Sequence, residues 1–249
     1  MYKIYVAAIE PLMEDGFYQQ ALSMVGKDRQ IKTEKMIQRQ DKARSLAAGL
    51  LLRHAVKDCT EGNDGGELGK QLSNRDTGFC WDGSCFVKEH GKPMLPKELG
   101  LYFNLSHSGD YVLCAVSDKE TGADIQRHEK YVDRLAKRFF HPEELAYLKK
   151  AEDPKQRFYD LWCLKESCIK CTGRGLSTGL ESFSVVPFFY GEPIVLDGIR
   201  CVGECAPAYR KTELKDFTEI YTEEPIKGYS MAVTVARADV PSGAGDERL

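Results

Sequence analysis

Four short stretches of this sequence carry side chains that could do chemistry together. Ser106-His107-Ser108-Gly109 packs two hydroxyls, an imidazole and the exposed backbone N–H groups of a turn into four residues. Such a turn can hold an anion without a lysine cluster, although a plain polar β-turn has the same composition. Gly91-Lys92-Pro93 offers close backbone approach followed by a cation, but it is no P-loop, because GxxxxGK[ST] occurs nowhere. Asp124 is the central residue of the segment Gly122-Ala123-Asp124-Ile125-Gln126. It could act chemically or simply cap a helix. Glu166 and Lys170 lie one helical turn apart in LWCLKESCIK, 161–170. Alone, they read equally as a surface ion pair worth a few tenths of a kcal/mol.

The elements that must position these groups follow from periodicity. At 100° per residue, a helix over 156–171 puts Leu161, Leu164, Cys168 and Cys171 on one face. Tyr159, Trp162, Glu166 and Lys170 fall roughly opposite, and Gly173 ends the helix. Residues 41–59 form an amphipathic helix on Ala43, Leu46, Ala47, Leu50, Leu51 and Ala55. Residues 1–9 read as a strand, and 101–105 and 111–116 as a hairpin around a turn at 106–110. Two helical pieces follow, 133–140 and one opened by His141-Pro142-Glu143-Glu144. Strands are expected at 181–186, 200–204, 217–222 and 229–236. The glycine-rich stretch 60–90 reads as a long loop with a short strand near 85–88. Each half thus carries helices and antiparallel strands. We expect an α+β protein of two similar α/β lobes, 1–121 and 122–237, each with a small antiparallel sheet and packed helices, and a flexible tail at 238–249.

Composition removes several classes. With 35 basic and 38 acidic residues among 249, the net charge is −3, which gives no global basic excess for nucleic acid or a membrane surface. No apolar run reaches the roughly 18 residues of a membrane span, and the start reads as a strand rather than a signal peptide. The nine cysteines include one Cys168-Ile169-Lys170-Cys171, without a second pair or histidines at zinc spacing. We read this pair and Cys163 as apolar packers, over a redox or metal role, in a reduced, cytoplasmic protein, with a metal site of Cys59, Cys80 and Cys85 a weaker alternative.

Taken together, FNLSHSG at 103–109, GADIQ at 122–126 and LWCLKESCIK at 161–170 resemble the signature blocks of 4′-phosphopantetheinyl transferases. The resemblance is to the larger, Sfp-type class that activates synthetases of secondary metabolism. GKP at 91–93 and AKRFF at 136–140 fit the same order, and the likeness spans about 1–236. It implies two lobes related by a pseudo-twofold, working as a monomer. It implies transfer of phosphopantetheine from coenzyme A, the co-substrate, to a serine hydroxyl of an apo acyl or peptidyl carrier protein, releasing 3′,5′-ADP. Fatty-acid, polyketide and non-ribosomal peptide carriers all qualify, with no nucleic-acid or membrane partner.

The resemblance also assigns residues. Asp124, Gln126 and Glu166 fall on the ligands of Mg²⁺, for which Mn²⁺ could substitute; Gln126 replaces the usual glutamate and removes one negative charge. Glu166 is also the general-base position, and Lys170 would meet a phosphate oxygen. Ser106 and His107 match contacts to the coenzyme A phosphates, and Gly91, Lys92 and Pro93 line the nucleotide cleft. Arg44 and Ser45 in DKARSLAAG contact the nucleotide, and Arg29 and Lys32 fall near the 3′-phosphate. Lys165 suits an ion pair holding the helix. Arg127, Lys130, Arg134, Lys137 and Arg138 form a basic patch for an acidic carrier. Two alternatives stand beside this: a pyrophosphate hydrolase, and a degenerate homologue that binds coenzyme A or carrier without chemistry.

Overall fold

A continuous apolar run, buried on both faces, gives strand β1, Tyr2–Ala8, followed by helices α1, Asp15–Met24, α2, Lys27–Glu34, and α3, Arg39–Glu61. The computed structural model describes residues 1–61, 86–87, 91–130, 133–173, 175 and 179–237. Most of the loop expected over 60–90, with Cys80 and Cys85, and the whole tail 238–249 lie outside the described residues. A two-residue strand β2, Phe86–Val87, pairs with β3, Pro93–Met94. Next come β4, Tyr102–Ser108, β5, Tyr111–Ser117, and β6, Thr121–Arg127. Helices α4, Asp133–Phe139, α5, Pro142–Lys149, and α6, Pro154–Thr172, lead to the last strands. These are β7, Ile194–Leu196, β8, Ile199–Cys205, β9, Tyr209–Thr212, β10, Glu219–Thr222, and β11, Tyr229–Ala236.

The strands form one sheet in the order β10-β9-β1-β5-β4 and a second in the order β6-β11-β8-β7. Strand periodicity then builds the core in layers. One face of β1 and β5, with Tyr5, Ala7, Val112, Cys114 and Val116, packs under Leu46, Leu50 and Leu51 of α3. The other face, with Ile4, Val6, Leu113 and Ala115, meets Ile125 and Val233 of the second sheet. Beyond that sheet lies α6, whose Leu161, Leu164, Cys168 and Cys171 are all buried. The molecule is therefore a helix–sheet–sheet–helix stack, the α+β class expected. Each buried leucine of α3 contributes about 1.5–3 kcal/mol relative to exposure.

Local signals explain the helix ends. Asp153 caps α6 by accepting from the N–H groups of Lys155 and Gln156, and Gly173, at φ 71°, ends it. His141 and Glu144 form a reciprocal capping box on α5. Glu144 also accepts from Lys165 Nζ at 2.7 Å, with both side chains almost fully buried. Burial shifts each partner against its charge, Glu144 upward and Lys165 downward, and the pair is completed by Phe183 O and Val185 N–H. Lys165 thus ties α6 to α5.

Several expectations are corrected. Residues 181–186 form no strand: 3₁₀ turns occupy Leu180–Ser182 and Val186–Tyr190, and the intervening backbone bonds the Glu144–Lys165 pair rather than a neighbouring strand. The turn expected over 106–110 shrinks to Gly109 and Asp110, because Ser106, His107 and Ser108 continue β4 and pair with β5. Helices α1 and α2 and strands β7 and β9 were not anticipated. The second half also lends β9 and β10 to the first sheet, where β9 runs parallel to β1. The seven described cysteines are all free thiols.

Candidate active site

A cleft of about 710 Å³ opens beside β4, lined among others by Arg29, Lys32, Lys35, Ser45, Pro93 and His107. Three cations, Arg29 and Lys32 within α2 and Lys35 at its C-terminal end, give one wall a positive field suited to phosphate. Arg29 is fixed there: its Nη1 donates to Ser45 O at 2.9 Å, and its side chain lies over Gly49, where an added Cβ would stand 2.5 Å from Arg29 Cδ. Ser45 is buried and accepts from Thr33 Oγ1 at 2.9 Å. Arg44 Nη1 donates to Gly109 O at 2.8 Å and Nη2 to Asp41 at 2.5 Å, which pins α3 to the β4–β5 turn. Tyr229 braces that turn by accepting from Asp110 N–H at 3.0 Å.

His107 joins this cleft to a second constellation. Partial desolvation and the charges of Arg44 and Lys170 lower its pKa. Behind it, buried Asp124 Oδ1 accepts from Lys170 Nζ at 2.6 Å and from Ser106 Oγ at 2.7 Å. Lys170 Nζ also reaches Ser106 Oγ at 3.3 Å. Gln126 Nε2 donates to Asp124 Oδ2 at 3.1 Å, and Gln126 Oε1 accepts from Ser108 Oγ at 3.4 Å. Glu166 makes no hydrogen bond or ion pair among the described residues. Burial, and then the charge of Asp124, raise its pKa against the opposing pull of Lys170. The strand carrying Asp124 can approach α6 this closely because residue 122 is glycine. A Cβ there would lie 2.0 Å from Ser167 O.

Sequence-selected residues thus fall into two adjoining groups. Arg29, Lys32, Ser45, Pro93 and His107 share the cleft, while Ser106, Asp124, Gln126, Glu166 and Lys170 gather behind it. Lys92 stands apart: its ammonium is bound to Glu120 at 3.0 Å, Thr121 O at 2.9 Å and Cys171 O at 3.3 Å. Gly91 makes the turn before it at φ 78°. Sequence reasoning missed Lys35, Met36, Ile37 and Gln38, which also line the cleft; the alternation of cations along 29–35 was the available signal.

Among the described residues no three His, Cys, Asp or Glu side chains gather as a metal site. The chain offers instead two mutually repelling carboxylates and an amide oxygen. Glu166, without a partner among the described residues and with its ionisation opposed by Asp124, is the surplus negative charge that a hard divalent ion neutralises, so the donor set fits Mg²⁺.

A cationic cleft running into a carboxylate–lysine cluster has the charge arrangement that phosphoryl-transfer chemistry uses. Residues 120–233 match the family model of the 4′-phosphopantetheinyl transferase superfamily. The chain is 30% identical over 241 residues to 4′-phosphopantetheinyl transferase Sfp of Bacillus subtilis strain 168, covering 96% of this chain and 94% of that protein. It is 33% identical over 186 residues to another 4′-phosphopantetheinyl transferase of Bacillus subtilis, covering 74% and 75%. A further relative is the L-aminoadipate-semialdehyde dehydrogenase-phosphopantetheinyl transferase of Saccharomyces cerevisiae, 36% identical over 115 residues, 41% of this chain and 42% of that one. The chain belongs to the 4′-phosphopantetheinyl transferase family and is an enzyme of that kind.

Proposed function

We propose that this enzyme transfers 4′-phosphopantetheine from coenzyme A to a serine hydroxyl of an apo acyl or peptidyl carrier protein, releasing 3′,5′-ADP. The observation that carries the reading is the continuity, through His107, between the cationic cleft and the Asp124–Lys170–Glu166 cluster. Arg29 and Lys32 bind the nucleotide end, with Ser45 and Arg44 holding α3 and the hairpin turn around it. His107 donates to a phosphate at the mouth of the inner site.

Asp124, Glu166 and, through its amide oxygen, Gln126 would hold Mg²⁺, which neutralises charge on the pyrophosphate when bound. In this geometry Gln126 faces Asp124 with its nitrogen, so its side chain must turn to offer oxygen. Lys170, positioned by Asp124 and Ser106, stabilises charge on the departing ADP. Glu166 would accept the proton of the attacking serine; a carboxylate that also holds the ion is a weak base, so its placement rather than its basicity must serve this step. The exposed cations Arg134 and Lys137 of α4 suit the acidic surface of a carrier. We place the enzyme in the cytoplasm as a monomer; among the described residues no helix is long and apolar enough to cross a membrane.

The test is intact-protein mass spectrometry of apo-carrier protein incubated with the enzyme, coenzyme A and Mg²⁺. A gain of one phosphopantetheine, lost in EDTA, supports the reading. No gain on either a peptidyl or an acyl carrier, with coenzyme A still bound, overturns it in favour of a binding homologue.

A further inference from the structure

Strands β4 and β6 are the facing edges of the two sheets. An edge strand leaves alternate N–H and C=O groups without a ladder partner, and buried ones must be satisfied some other way. On β6, side chains do this in a regular series. Asn104 Oδ1 accepts from Ala123 N–H at 2.9 Å, Ser106 Oγ from Ile125 N–H at 3.4 Å and Ser108 Oγ from Arg127 N–H at 3.0 Å. The offset is nineteen residues at every rung. Two cations cover carbonyls on the same edge, Lys92 at Thr121 O and Lys170 at Ala123 O, at 2.9 and 3.2 Å.

This explains why residues 104, 106 and 108 are polar at every second position while 103 and 105 are apolar. The side chains stitch two sheet edges that share no backbone ladder. An interposed side chain holds the edges wider than the roughly 4.8 Å of a backbone ladder, and the inner site sits in that seam. The innermost rung, Asn104, is buried. Because its partner is an N–H, the atom facing Ala123 must be its oxygen.

We propose that Asn104 is a positioning residue, whose side-chain carbonyl fixes β6 in register against β4 and thereby aims Asp124, the next residue along, at Ser106 and Lys170. The kinetic half of this rests on the transferase reading above; the stitch itself does not.

The experiment uses the full chain with two variants at one site. Asn104→Ala removes the acceptor, and Asn104→Asp keeps an oxygen in its place. Residue-resolved amide exchange without metal, coenzyme A or carrier should show the Ala123 N–H exchanging roughly tenfold faster in Asn104→Ala. In the transfer assay kcat should fall while KM for coenzyme A stays within about twofold, and Asn104→Asp should move both readouts back toward the parent. Unchanged exchange at Ala123, or faster exchange with unchanged kcat, overturns the proposal. Should Asn104→Ala not fold, Ser108→Ala serves on the outer rung. Faster exchange confined to Arg127 supports the stitch, and no change there refutes it. A parent enzyme inactive in transfer would sink the function reading while leaving the exchange result to stand or fall alone.

Discussion

Replacing Gly122 by alanine drives a methyl group into the backbone of α6. The added Cβ would stand 2.0 Å from Ser167 O and 2.4 Å from Cys171 N, atoms of a helix interior that cannot retreat singly. Strand and helix must part by roughly 1 Å or more to reach ordinary contact. Asp124 lies two residues along on the same face of β6, held to Lys170 at 2.6 Å. A 1 Å separation takes that contact to about 3.6 Å, beyond hydrogen-bond length. Overpacking of this kind costs about 1–3 kcal/mol of stability. Misplacing reacting groups by about 1 Å lowers kcat on the order of 100-fold. Urea unfolding reads the first effect and phosphopantetheine transfer to an apo-carrier reads the second. Gly16→Ala is the control, since its Cβ meets nothing within 4 Å on a helical backbone. That change should be neutral or slightly stabilising. A Gly122→Ala enzyme with stability within about 0.5 kcal/mol of the parent and kcat within twofold would refute the close-approach argument.

Three further outcomes are expected. In metal-free protein the raised pKa of Glu166 means that the folded state keeps this proton to higher pH than the unfolded chain, so ionisation destabilises the fold as pH rises through that interval. Glu166→Gln should therefore be more stable than the parent at pH 7 in EDTA, and the advantage should vanish below about pH 4; equal urea midpoints at pH 7 would count against it. Gln126→Glu replaces an amide that now donates to Asp124 with a third negative charge, so it should lower the Mg²⁺ concentration for half-maximal transfer. An unchanged Mg²⁺ titration removes residue 126 from the ion. Reversing the exposed charges Arg134 and Lys137 together should raise KM for carrier protein without moving KM for coenzyme A, and equal effects on both would place the docking surface elsewhere.

Much of the inner site was legible in the sequence because its residues sit in short motifs on regular elements. The 3.6-residue period of α6 separates Leu161 and Cys168 from Glu166 and Lys170, and the fold keeps that division. What stayed hidden depends on contacts between distant segments. Ser106 and Ser108 look like turn residues because their polar alternation answers a strand edge that only the folded chain brings near. Phe183 and Val185 look like strand residues, yet the buried ends of Lys165 and Glu144 take their backbone groups. Lys92 reads as a free cation beside a glycine, and its three oxygen partners lie 28 to 79 residues away. The charged α2, KDRQIKTE, has too thin an apolar stripe to announce itself.

The parallel pairing of β1 with β9 has a consequence for biosynthesis. Tyr5 sits beside Arg210, so β9, the strand that flanks β1 in the first sheet, is supplied only after β8 has been made. Until then the nascent polypeptide can pair β1 with β5 on one side only. The other side stays an open edge, the kind that recruits wrong partners. Contacts of such long sequence separation also slow the search for the native state. A ribosome pausing after β8 would therefore hold out an incomplete sheet, and a protease cutting between the halves would release a first fragment that cannot close its own edge.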